Sequence, residues 1–320
     1  MTTLVYGYYK SPPNLGDHLF IHAFKLLFPK FDFRFTDHIT AAMLQDVSTV
    51  FFGGGSFLDG APTITPEALA LLQNKNILYV GLGAETQIHP VHEQLMRLAK
   101  LIAIRSNDLD KIKQINPNTI AIPDLVYALR NQTGKGYKIA RSVLVLPNVA
   151  VVPLWDEPHW KHLHFETFKM ETAQTLDALI EDNYVVDFYA MSQIPEEHDE
   201  WAGIELINKM KHKPKLHLPT CNDVSSITEL FSQYGVILTQ RYHGAVLAEM
   251  SGTPYVCVYH HDKLRHTSFD LGRFVPYFGI SKGKLMQEVS FLTGNEVRLP
   301  IDTDMFRELV SKVEECVMPE

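Results

Sequence analysis

The sequence predicts an α/β protein built as two parallel-sheet halves, and three observations carry that prediction. Short apolar runs rich in β-branched and aromatic residues, such as 48–52, 101–104 and 235–240, alternate with segments whose apolar positions recur at helical spacing. After the second, the runs of the first half end in glycine or a polar residue, which puts loops of one chemical character on a common sheet edge. The length of 320 residues exceeds an ordinary single domain and suggests two of roughly 130 to 180 residues.

Composition narrows the function classes. A net charge of −8 argues against general nucleic-acid binding, which needs a basic face. Cys221, Cys257 and Cys316 lie far apart without CxxC spacing, so neither a disulfide framework nor a zinc knuckle is expected, and no metal is assigned. The first residues lack a signal-peptide pattern and no apolar run reaches membrane-spanning length, so a cytoplasmic protein is expected, one that can work at the inner face of a membrane through peripheral contact.

In the first half, 3–9 reads as a strand, the loop 10–17 as a constrained turn, and 18–28 as an amphipathic helix with Asp17 in the N-cap position. A carboxylate there could instead bind a hydroxyl. Strand 31–35, a short helix 39–46 and buried strand 48–52 follow. Gly53-Gly54-Gly55-Ser56 then offers backbone N–H groups to a ligand at close approach, although it matches no complete phosphate-loop motif. Helix 67–73, strand 76–80, helix 91–100 and strand 101–104 continue the rhythm, and Arg105 stands at a strand end before helix 108–115 and strand 119–122.

The polar, glycine-containing stretch 130–141 reads as the linker, giving domains 1–133 and 142–320, with the last helix free to pack back on the first. Strand 143–146 opens the second half. Its following loop carries Trp155, Trp160, His159, His162 and His164, more simply rim residues than a metal site. Helix 165–181, strand 184–189, helix 197–210, strand 216–218 and a helix capped by Asp223 lead to strand 235–240.

That strand ends in Arg241-Tyr242-His243-Gly244, and a helix 244–251 follows. A strand, an elbow and a helix in this order place free N–H groups, a fixed cation and a group that titrates near neutrality at one sheet edge. An anionic substrate and proton transfer follow as one reading; a surface ion pair and a packing imidazole are the other. Strand 255–259 lies beyond, followed by His260-His261-Asp262-Lys263, with helices 285–292 and 304–317 completing the layer.

Asn14-Leu15-Gly16-Asp17, Phe52-Gly53-Gly54-Gly55-Ser56, Arg241-Tyr242-His243-Gly244 with Gly252-Thr253-Pro254, and Tyr259 to Lys263 followed by Asp270-Leu271-Gly272 together resemble the polysaccharide pyruvyl transferase family, over about residues 5–275. Arg105-Ser106 stands where many relatives have Arg-Asp, and Pro123-Asp124 inverts a common Asp-Pro. The resemblance implies two Rossmann-like domains facing across a cleft, a GT-B-like fold. It implies transfer of the enolpyruvyl unit of phosphoenolpyruvate onto a sugar of a glycan, free or lipid-linked, closing a pyruvate ketal and releasing phosphate. Phosphoenolpyruvate is then a co-substrate and no cofactor is called for.

On this reading Arg105, Arg241, Tyr242, Gly244, Ala245 and Lys263 bind the donor, the two arginines clamping its carboxylate and phosphate, the N–H groups of Gly244 and Ala245 taking an oxyanion and Lys263 assisting the leaving phosphate. His243 is the general acid and Asp17 binds or deprotonates the acceptor hydroxyl. Asn14, Gly16, Gly53, Gly54, Gly55 and Ser56 form the acceptor side. The alternatives are a GT-B glycosyltransferase with a nucleotide-sugar donor and a degenerate sugar-binding protein.

Overall fold

The computed structural model describes residues 2–7, 9, 14–55, 57–83, 87–105, 109–148, 158–194, 197–218, 223–259, 272–276, 280–294 and 305–317, the side chains of 158–165, 259, 272 and 305 excepted. The chain divides into two compact units, residues 1–131 with 301–320, and residues 132–300. Each contains one six-stranded sheet whose strand pairs are all parallel.

The first unit contains β1 (Thr2–Tyr6), α1 (Leu15–Leu27), β2 (Asp32–Thr36), β3 (Thr49–Gly53), α2 (Pro66–Leu72), β4 (Asn76–Leu82), α3 (Pro90–Leu98), β5 (Leu101–Ile104), α4 (Leu109–Ile115) and β6 (Thr119–Ala121). The strands run in the order β2-β1-β3-β4-β5-β6. The second unit contains β7 (Ile139–Leu146), α5 (Pro158–Glu181), β8 (Val185–Tyr189), α6 (Asp199–Lys209), β9 (Lys215–His217), α7 (Val224–Ser232), β10 (Tyr234–Thr239), α8 (Tyr242–Ser251), β11 (Tyr255–Tyr259), β12 (Gly272–Pro276) and α9 (Lys282–Leu292), and its strands run β9-β8-β7-β10-β11-β12. The final helix α10 (Met305–Val317) belongs to the first unit. Strand order reverses at β1/β3 in one sheet and at β7/β10 in the other. Such reversal points open a crevice at the carboxyl ends of the strands, where α/β proteins bind ligands.

The apolar runs explain which strands are central. β3 and β10 are buried along their whole length, whereas β2 alternates exposed and partly buried residues as an edge strand does. In the first sheet Leu4, Val50, Phe52, Ile77, Tyr79 and Ile102 form one core with Leu95 and Met96 of α3. On the opposite side, Phe24 of α1 and Phe28, which caps that helix, meet Phe33 and Phe51 edge to face or tilted. In the second, Val143, Val145, Val236 and Leu238 pack with Leu176 and Leu179 of α5 and Leu285 and Val289 of α9.

Several element boundaries differ from the expectations. α1 starts at Leu15, capped by Asn14, whose Oδ1 accepts the Gly16 N–H at 2.9 Å. Asp17 is therefore not the N-cap but the third helical residue, where its charge still favours the positive helix end. The segment 39–46 holds only a 3-10 turn, Ala42–Leu44, because Ile39 is drawn into a bridge with Ile64. The linker reading 130–141 overlaps two elements: a 3-10 helix covers Leu125–Gln132, and β7 begins at Ile139, whose N–H donates to Gln233 O at 2.8 Å. The backbone of His159, His162 and His164 lies in α5, which starts at Pro158, a residue suited to a first helical turn. Trp155 lies outside the described residues, as do the side chains of Trp160 and these three histidines. β12 was not foreseen.

One buried group gives the first unit a pH dependence. His92 is fully buried, its Nδ1 lies 3.2 Å from Tyr79 Oη, and Phe52 stacks on the tyrosine ring. Burial, helped by His89, lowers its pKa to about 4. The folded state thus resists a proton that the unfolded chain accepts near pH 6.5, so the stability contribution is whole above 6.5 and is lost as pH falls towards 4. Denaturant titrations should show a loss approaching about 3 kcal/mol across this window, and His92→Leu should remove that slope.

Candidate functional site

The carboxyl edge of the second sheet gathers the elbow residues. Arg241 is the N-cap of α8 with extended backbone. Its N–H donates to Thr239 Oγ1 at 3.0 Å and the Thr239 hydroxyl donates to Arg241 O at 3.0 Å, so a side-chain turn locks the elbow. Tyr242 and His243 begin the helix, their rings in edge contact at 5.3 Å. α8 is buried from Gly244 to Met250, and it approaches the sheet so closely that a Cβ on Gly244 would lie 2.3 Å from Thr239 Oγ1 and 2.7 Å from Leu146 Cδ1. Gly244 is therefore required by packing.

This start alters one expectation. The helix begins at Tyr242, two residues earlier than the sequence suggests, so the Ala245 N–H is used in the first helical bond, to Arg241 O at 3.3 Å. The N–H groups that helix geometry leaves without an intrahelical acceptor are those of the first turn up to Gly244. Ala245 itself is not among them.

Arg241 is not a bare cation. Its Nε donates to Asp199 Oδ2 at 3.0 Å and Nη2 bonds Asp199 Oδ1, while Nη1 donates to Glu197 Oε2 at 2.9 Å. Asp199, fully buried at the first position of α6, also accepts the N–H groups of Met191 and Ser192 at 3.1 and 3.0 Å. Burial raises the Asp199 pKa to about 6 against the opposing pull of Arg241. Among the described residues three of the five guanidinium N–H groups are thereby engaged, and one on each terminal nitrogen is left. Sequence reasoning missed Asp199 and Glu197; the spacing Glu-x-Asp after a strand was their only mark.

The first sheet repeats the device. Arg105 follows β5 and pairs with Asp124, both side chains nearly or fully buried, and Asp124 Oδ1 accepts the Val126 N–H at 2.9 Å. The Arg105 guanidinium lies over the Phe20 ring, 5.8 Å from its centre. Phe20 in turn borders Gly54, where an added Cβ would meet that ring at 3.0 Å and Tyr9 Oη at 2.9 Å. Tyr9 donates to Gly53 O at 2.8 Å, and the nearby Asp17 charge reinforces the rise that burial imposes on its pKa. Gly54 and Gly55 both have positive φ, +83° and +88°, a conformation that suits glycine. Asn14, Gly16, Asp17, Gly53, Gly54, Gly55 and Arg105 are thus collected at the carboxyl edge around β1, β3 and β5. Ser56, Ser106 and Lys263 lie outside the described residues.

Among the described residues no group of three or more His, Cys, Asp or Glu is placed to hold a metal ion, and no helix is long and apolar enough to cross a membrane. A family model described as polysaccharide pyruvyl transferase matches residues 14–262. No curated protein matches the sequence at a significant level. Among solved structures, a candidate UDP-N-acetylglucosamine 2-epimerase from Listeria monocytogenes is similar at a TM-score of 0.63 and 10% identity, over 98% of this chain and 96% of that one. MnaA of S. aureus, solved with UDP, is similar at 0.61 and 10% identity, over 100% and 99%. UDP-GlcNAc 2-epimerase from Neisseria meningitidis, bound to UDP-GlcNAc, gives 0.58 and 10%, over 98% and 100%. These similarities show the fold, which is two-domain, Rossmann-like and GT-B-like, as expected.

The two carboxylates on Arg241 should be unequal. Asp199→Ala leaves a buried guanidinium half-compensated and two backbone N–H groups without their acceptor, and should cost about 3 to 5 kcal/mol in urea unfolding. Glu197 is 30% exposed in its side chain, and Glu197→Ala should cost less than about 1 kcal/mol.

Proposed function

The chain belongs to the polysaccharide pyruvyl transferase family, and from that premise we propose that it moves the enolpyruvyl unit of phosphoenolpyruvate onto a sugar, forming a pyruvate ketal and releasing phosphate. Membership supports a transferase that works on a saccharide; the donor and the ketal are the proposal. The observation that carries it is the adjacency of a rigidly held Arg241, His243 and the first turn of α8 at the β7/β10 reversal point.

The reaction balances as follows. A proton is added to the methylene carbon of phosphoenolpyruvate, making the adjacent carbon electrophilic. Two sugar hydroxyl oxygens form bonds to that carbon, its bond to the phosphate oxygen breaks, and two hydroxyl protons are released. One of these matches the proton now on the methyl group, and the other leaves with phosphate or solvent. His243 is assigned the proton donation, since an imidazole can give and regain a proton near neutral pH. Arg241, offset by its carboxylates, is assigned to orient an anionic oxygen through its remaining N–H groups rather than to act as a full positive charge. Tyr242, Gly244 and Lys263 complete the donor side in this proposal, with Arg105 meeting a second anionic group. Asp17 is assigned the acceptor hydroxyl, with Asn14, Gly16 and Gly53 to Ser56 shaping that side. No cofactor is needed, because phosphoenolpyruvate carries its own leaving group. The acceptor is a glycan sugar, free or lipid-linked, and the protein acts in the cytoplasm or at the inner membrane face.

Incubation with phosphoenolpyruvate labelled in the pyruvyl carbons and a sugar panel should transfer label and release phosphate in equal amounts. His243→Ala and Arg241→Ala should each lower the rate by about 100-fold or more. Turnover of a nucleotide-sugar in the same panel, with none of phosphoenolpyruvate, would replace this reading by glycosyl transfer.

A further inference from the structure

We propose that the side-chain amide of Gln240 is a binding residue for the donor, giving N–H donors to an oxygen of its phosphate group; the proposal rests on the phosphoenolpyruvate reading above. Gln240 directly follows β10, between that strand and Arg241, and is 5% exposed. Its backbone N–H donates to Leu146 O at 3.2 Å, and its Oε1 accepts the backbone N–H of Asn148 at 3.2 Å. The carboxamide therefore bridges the carboxyl ends of β7 and β10, across the reversal point of the sheet. The ten-residue helix α8 starts two positions later.

The bond from Asn148 fixes which way the amide faces. With oxygen and nitrogen exchanged, the NH2 group would oppose the Asn148 N–H, donor against donor. Nε2 is thus directed away from Asn148, and among the described residues it is buried with no hydrogen-bond partner. Proteins seldom leave a buried donor unmatched. His22 Nε2 on α1, Thr49 Oγ1 at the start of β3, His92 Nε2 on α3, Thr172 Oγ1 on α5 and His217 Nε2 at the end of β9 are also buried without a partner among the described residues. Of these groups only Gln240 stands where the strand order reverses, beside a helix N-terminus. An anionic oxygen supplied by a ligand meets the need, and shielding from bulk water makes such a bond strong.

The test uses the whole chain with Gln240→Glu and Gln240→Met, measuring affinity for phosphoenolpyruvate and for inorganic phosphate by calorimetry, with Tm recorded alongside. Gln240→Glu keeps an acceptor for Asn148 and removes the donors; Gln240→Met removes both. Affinity for both ligands should fall together by roughly 10- to 100-fold in each variant, while the Tm of Gln240→Glu stays within a few degrees of wild type. Undiminished binding in Gln240→Glu overturns the proposal. So does loss of phosphoenolpyruvate with phosphate retained, which would move the contact to the carboxylate. Gln240-dependent phosphate binding by a wild-type protein that does not turn over phosphoenolpyruvate would sustain this inference and remove the donor assignment. Wild-type protein that binds neither ligand would remove both.

Discussion

A buried ion pair at the end of a strand is the interaction on which both sheet edges depend. An arginine that leaves a strand into a shielded edge must bring a counter-charge with it, because an isolated buried charge is untenable. Here each arginine is met by an aspartate that also accepts backbone N–H groups, so the carboxylate is held before it holds the guanidinium. Arg105 leans on Asp124 and Arg241 on Asp199. The same arrangement recurs in sheets of different strand order, one reversing at β1/β3 and the other at β7/β10. What unites them is the chemistry of a parallel sheet's carboxyl edge.

The pairing changes what a positive residue in such a site does. A solvated arginine acts mainly by charge; one pinned on two carboxylates acts by direction, since its unused N–H bonds point along fixed lines. The elbow is stiffened from the other side by Thr239 and by the contact that Gly244 permits. Little rotamer freedom is then left to lose on binding.

The parts of this architecture legible in the sequence were those with a local signal. Central strands such as β3 and β10 read as unbroken apolar runs because both faces are covered. The elbow was visible because Arg241, Tyr242 and His243 interrupt such a run at once. Helix starts were less legible: Asn14 and Asp17 are both good capping residues three positions apart, and only the bond from Gly16 N–H to Asn14 decides between them. The same ambiguity shifted α8 by two residues and with it the role of Ala245. Partners remote in sequence left almost no trace. Asp199 lies 42 residues before Arg241, and a carboxylate that opens a helix looks like any other acidic first-turn residue. Gln240 passed as the polar end of a strand, since its importance lies in the bond its amide does not make.

The placement of α10 bears on how the protein is made. Its buried residues Leu309 and Val313 and the bond from Lys100 Nζ to Cys316 O join the first sheet beside β4 and β5. During synthesis residues 1–131 emerge without that covering, and the whole second unit must follow before it arrives. The second unit has all its own elements in continuous sequence, so it can close as it leaves the ribosome, while the earlier-made unit waits with one apolar flank open. Of the two units, the one begun first is the one completed last.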